Sequence, residues 1–253
     1  MMISMKRWVS VWVGLLALMP ATSFAAALYT SGHADLGIGF KDGAFDIHIH
    51  SEGATIGGVE YDDEEFEPED VIIFVSPATL ESRSANFLPV LNFDPIGVGA
   101  GASFYKLPQT NAEATSESVP FLGIATEEIE PGVFVGNTIT VSIDSVVGPG
   151  FFSIYQDVFP GPNFFAASSN GLPDSFTFAT GIHDHFNYAF TAPGIYEVTL
   201  RATGTLVGGG VVSGTGTYTF AVVVPEAGTN VLLGSAGLVL AAGLVWRRRG
   251  VSA

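Results

Sequence analysis

The chain has 253 residues, no cysteine, 25 acids against nine lysines and arginines, and an apolar fraction of 47%. The missing thiols exclude disulfides and thiolate metal ligands, and a formal charge of −16 repels the phosphates of nucleic acid and anionic lipid, so no nucleic-acid partner is expected. The apolar content is ample for a sizeable core.

The N-terminus has the three parts of a secretory signal peptide over residues 1–27. Met1 to Arg7 is basic, Trp8 to Met19 is apolar but shorter than a membrane span, and Pro20 to Ala27 ends in small residues suited to cleavage. In the region expected to be exported, residues 28–224, Lys41, Arg83, Lys106 and Arg201 are the only bases, against twenty-four acids, a formal charge of −20. Such a field attracts cations, and it also keeps an exported protein soluble.

Along this region the pattern is strand and turn. Leu36 to Phe40 and Phe45 to His50 flank Lys41-Asp42-Gly43, which predicts a hairpin with an Asp-Gly turn. In its second strand Phe45, Ile47 and Ile49 take one face, while Asp46, His48 and His50 take the other, expected to be free for chemistry. Glu60 to Asp70 carries eight acids in eleven positions and reads as a solvated loop, with calcium binding as the other reading; it lacks the ligand order of an EF-hand.

Further on, Phe87 to Leu91 and Ala102 to Tyr105 read as strands, Gly97 to Gly101 as a turn, and Thr110 to Ser118 as a surface loop. Thr138 to Ile143 alternates as a strand, Asp157 to Asp174 is rich in Pro, Gly, Asn and Ser and predicts a long loop, and Ile195 to Ala202 and Gly216 to Val224 are the last strands. No stretch keeps a helical period. The expected architecture is all-β, a single antiparallel β-sandwich of the immunoglobulin-like or jelly-roll kind.

The histidines are the chemical signal. The chain has five: His33, then His48 and His50 as one His-x-His, then His183 and His185 as a second. Residues i and i+2 of a strand share a face, so each pair can offer two imidazoles to one ion, and the two strands side by side would form one centre. Zinc accepts imidazole and carboxylate in a tetrahedron. The candidate ligands are therefore His48, His50, His183 and His185, with His33 and Asp35 as further ligands or orienters, and Asp46 as a weaker candidate. Copper(II) or nickel would accept the same set. An exposed strand face, or a buried histidine bonded to Asp35, would look identical in sequence.

Residues 225–253 contain Val224-Pro225-Glu226-Ala227, an apolar stretch from Val231 to Trp246 and Arg247-Arg248-Arg249. This tail resembles the PEP-CTERM sorting signal, which implies a transmembrane helix, recognition by an exosortase-type sorting enzyme and release to the cell surface or exopolysaccharide. Gly32-His33-Ala34-Asp35-Leu36-Gly37, Asp46-x-His48-x-His50, Glu67-Pro68-Glu69-Asp70, Thr126-Glu127-Glu128, Gly148-Pro149-Gly150 and His183-x-His185-Phe186-Asn187-Tyr188 with Pro193-Gly194 together resemble the choice-of-anchor M domain over nearly all of residues 28–224. The PEP-CTERM variant resembles a set repressed by the zinc uptake regulator. The resemblance implies zinc scavenging or storage at the cell envelope, a metal uptake system as a partner, and no enzymatic activity.

Two other function classes remain open on sequence. A cupin-like metal enzyme would place its glutamate three or four residues after the second histidine, whereas Glu52 follows His50 after one. A structural or adhesive matrix protein would use at most a structural ion.

Overall fold

The computed structural model describes residues 25–86 and 91–224. Most of the signal peptide expected over 1–27, most of the strand expected over 87–91 and the sorting signal expected over 225–253 lie outside the described residues. The described chain is built from strands β1 (Ala27–Lys41), β2 (Ala44–Ser51), β3 (Ala54–Ile56), β4 (Val59–Tyr61), β5 (Glu64–Phe66), β6 (Val71–Val75), β7 (Leu80–Ser82) and β8 (Ser103–Leu107). One α-helix, α1 (Asn111–Glu117), follows. The rest is β9 (Pro120–Ala125), β10 (Thr138–Val147), β11 (Phe152–Val158), β12 (Gly161–Ala167), β13 (Asp174–Ala179), β14 (His183–His185), β15 (Asn187–Phe190), β16 (Gly194–Thr205) and β17 (Val211–Val222).

The strands form two sheets, as an all-β chain requires. The larger has the order β13-β10-β16-β17-β6-β1-β2-β5, with β9 and β14 continuing from β1 and β3 and β4 attached beside it; the smaller has the order β12-β11-β15-β8-β7. Rings from both meet in the core: Phe152 of β11 and Phe190 of β15 lie 5.9 and 5.1 Å from Phe220 of β17. Burying such rings is among the largest favourable terms a domain this size has.

The hairpin forms as the sequence predicts. Asp42 and Gly43 both take positive φ, 52° and 84°, the turn that matches strand twist, and Phe45 pairs with Phe40 and Ile47 with Ile38. β1 is the organising strand. Its start lies beside β3 and parallel to β6; after an irregularity between Tyr29 and Ser31 it runs on between β2 and β9.

Three expectations are corrected. The sheets are not wholly antiparallel, because β1 pairs in parallel with β6 and β9, and β17 with β6. The loop expected over 157–174 contains β12, which pairs with β11; its Pro, Gly and Asn sit within an antiparallel edge pair. Thr110–Ser118 holds α1, capped by the Thr110 hydroxyl accepting from the Glu113 amide, a short helix too brief to show a period.

Candidate metal centre

The register of the larger sheet explains why all five histidines come together. Cα partners across a sheet point their side chains to the same side, and His185 pairs with Gly123, Gly123 with Asp35, Asp35 with His50 and His50 with Glu65. The next row on that side runs His183, Ala125, Gly37, His48. His33 lies two residues before Asp35. Hence β14, β9, β1, β2 and β5 present one continuous histidine face, while Ala34, Leu36, Ile38, Ile49, Leu122 and Ile124 on the reverse are buried in the core.

Glycine makes room on this face. Gly123, Gly37 and Gly39 have no unusual φ, so their role is space. A Cβ on Gly123 would overlap the Asp35 carboxylate, one on Gly37 would overlap the His48 ring, and one on Gly39 would come within 2.8 Å of Glu128 Oε2. Asp35, His48 and Glu128 therefore each come close to a glycine of a neighbouring strand.

The floor is fixed from below by three buried tyrosines. Tyr188 of the other sheet donates to the Gly123 carbonyl at 3.1 Å, Tyr218 to the His48 carbonyl at 3.0 Å, and Tyr29 to the Gly32 carbonyl at 2.7 Å, its one proton also within reach of the Phe121 carbonyl at 3.1 Å. Burial pushes the phenols of Tyr29 and Tyr188 well up, and the negative charge of Asp35 pushes them further.

Two histidine clusters sit on this floor. In the first, single ligand atoms of His33, Asp35 and His185 lie within 4.8 Å of one another. Asp35 is fully buried, its Oδ1 3.5 Å from His33 Nε2, and neither of its oxygens has a hydrogen-bond partner; His33 Nε2 and His185 Nδ1 are buried and unpartnered too. An uncompensated buried carboxylate is among the costliest arrangements a fold can hold. A cation between these atoms would satisfy them. His33 is oriented by Glu52, 3.0 Å from its Nδ1, and His185 stacks on Phe121 at 3.8 Å. Burial lowers the pKa of His185, keeping it in the neutral form that binds metal. His183 completes the rim, its ring 5.8 Å from that of His33 and its Nδ1 2.9 Å from Glu127 Oε1, a bond that raises its pKa.

In the second cluster His48, His50 and Glu128 converge. Glu128 Oε1 lies 3.1 Å from His48 Nε2 and 3.8 Å from His50 Nδ1, and His50 Nε2 lies 2.9 Å from Asp63. Burial acts to lower the pKa of His50, but the Asp63 bond and the charges of Glu128 and Glu52 outweigh it, and the pKa is raised. Asp46 and Glu65 also converge on His48.

The expected single centre of four histidines is thus not formed. The two His-x-His strands share a face but are separated by β9 and β1, three strand spacings or about 14 Å. His185 joins His33 and Asp35; His48 and His50 join Glu128. The face expected to be open at His48 is covered, since His48 is only 3% exposed. The acidic segment 60–70 is not a plain loop either: β5 pairs with β2 and brings Glu65 onto the histidine face. Among the described residues, every convergent ligand group contains a histidine, and none is made of that segment's carboxylates alone.

Glu52, Glu127, Glu128 and Asp63 contact the histidines without having been singled out as ligands by spacing. A signal that could have revealed the floor is the alternation Leu36-Gly37-Ile38-Gly39, glycine where a strand needs close approach. Comparison with protein-family models, curated proteins and solved structures finds no match.

Proposed function

We propose that the chain is an exported, surface-held β-sandwich that binds a divalent transition metal, zinc first, through His33, Asp35 and His185 with His183 at the rim, and performs no chemistry on it. The observation that carries this reading is the fully buried Asp35 carboxylate, both oxygens unpartnered, facing unpartnered imidazole nitrogens of His33 and His185. Mixed imidazole and carboxylate ligands suit zinc better than calcium or magnesium, which prefer oxygen alone.

The resemblance to the choice-of-anchor M domain and the PEP-CTERM tail supplies the setting: export, handling by an exosortase-type enzyme, residence at the cell envelope or exopolysaccharide, and zinc scavenging or storage in concert with a metal uptake system. The acidic surface supports this by concentrating cations around the face. A half-exposed rim of Glu52, Glu127 and His183 suits an ion that enters and leaves better than one sealed in for structure alone.

Calorimetric titration of the full-length chain with zinc tests the reading. Wild type binds with micromolar or tighter affinity, and His33→Gln/His185→Gln loses that event. Absence of any binding, or binding that the double variant leaves intact, overturns the site.

A further inference from the structure

We propose that the histidine face holds a second divalent ion, bound by His48, His50 and Glu128, separate from the first and linked to it by the turn after β9. This rests on the same reading of the face as a metal-binding surface, but on different residues.

The geometry differs from that of an ordinary ion pair. One carboxylate oxygen, Glu128 Oε1, is shared by two imidazole nitrogens from consecutive outward positions of β2. His48 is buried, and its other nitrogen, Nδ1, has no partner. An ion among the three groups would take one nitrogen of each imidazole and one carboxylate oxygen as its ligands, atoms that lie within 4.8 Å of one another. His50 has the outer support expected of a metal-bound imidazole, with Asp63 2.9 Å from its second nitrogen.

The Thr126-Glu127-Glu128 turn connects the two sites. Thr126 is buried, donates through its hydroxyl to the Ala179 carbonyl at 2.7 Å and exchanges backbone hydrogen bonds with the segment just before β14. From this fixed point Glu127 reaches His183, beside the first site, and Glu128 reaches His48 and His50 in the second. Adjacent carboxylates of one turn thus serve the two sites.

Native mass spectrometry of the full-length chain titrated with zinc counts the ions. The proposal expects two in wild type, one in His48→Gln/His50→Gln and one in His33→Gln/His185→Gln. Glu128→Gln lies on a turn outside the core and serves as the variant that keeps the fold, verified by circular dichroism; as loss of a direct ligand it is expected to weaken one binding event by at least the about tenfold that losing an outer-shell partner costs, and to leave the other unchanged. One ion in wild type that survives His48→Gln/His50→Gln overturns the second site while leaving the proposed function standing. One ion lost in both double variants means a single shared centre and likewise overturns it. No bound ion in wild type overturns both.

Discussion

The two halves of the larger sheet follow the same rule inward and opposite rules outward. In the half formed by β10, β16 and β17, inward positions such as Val141, Leu200, Ala202, Tyr218 and Phe220 are buried, and the outward side carries Thr199, Thr203, Thr215, Thr217 and Arg201. Its polar groups satisfy one another: Thr199 and Thr217 hydroxyls lie 3.1 Å apart, and Arg201 donates to Asp144. In the half formed by β14, β9, β1, β2 and β5, the outward side carries all five histidines, and several of its polar atoms are buried without partners. The first half is what a sandwich needs to fold and stay soluble. The second carries a polar deficit in which the Asp35, His33 and His185 atoms are those the proposed metal would take as ligands.

The largest expected effect comes from filling the glycine floor. Gly123→Ala places a methyl where the Asp35 carboxylate lies, so it should abolish the first binding event and destabilise the chain by about 1–3 kcal/mol, measured by zinc titration and urea unfolding. An unchanged affinity would show that Asp35 is not a ligand.

The next is pH. Protons compete with metal for imidazole, so zinc affinity should fall as pH is lowered, by up to about tenfold per pH unit for each histidine ligand once it takes up a proton, with His185, lowered by burial, giving way at lower pH than a free imidazole. The metal-free protein runs the other way. His183 and His50 have folded pKa values raised above the ordinary one, so the stability they contribute is present in full below about pH 6.5 and is lost as pH rises through the folded values. His185, lowered by burial, contributes the opposite sign and subtracts stability as pH falls. Melting curves with and without zinc between pH 5 and pH 8 should therefore diverge as pH rises; parallel curves would break the comparison.

A smaller effect is expected from Tyr188→Phe, which removes the hydroxyl bound to the Gly123 carbonyl and should cost about 1 kcal/mol with a modest loss of zinc affinity. The smallest comes from the opposite half. Arg201→Ala removes a half-exposed ion pair with Asp144, costing up to about 1 kcal/mol, and zinc titration should give the wild-type curve.

Much of the strand content was legible in the sequence, because alternation and the Asp42-Gly43 turn are local signals. The candidate ligands were legible too, since five histidines in a histidine-poor chain stand out. Their partition was not. Whether β2 and β14 adjoin depends on β9 entering between β14 and β1, a parallel pairing of residues 88 apart that no local pattern records. Glu128 was hidden for the same reason: its partner His48 lies 80 residues away. The strand β12 was masked by its own turn-forming residues, which an edge position tolerates.

The proposed role of Asp35, buried without a hydrogen-bond partner, is to bind metal. It is tested most directly by the thermal stability of wild type and Asp35→Asn, each with and without zinc. The account predicts that Asp35→Asn melts higher than wild type when metal is absent, because it relieves an uncompensated buried charge, and that it loses the stabilisation wild type gains from zinc. If Asp35→Asn instead lowers the metal-free melting temperature while zinc still stabilises it as in wild type, Asp35 is a structural partner of His33 and the metal-centred account is contradicted.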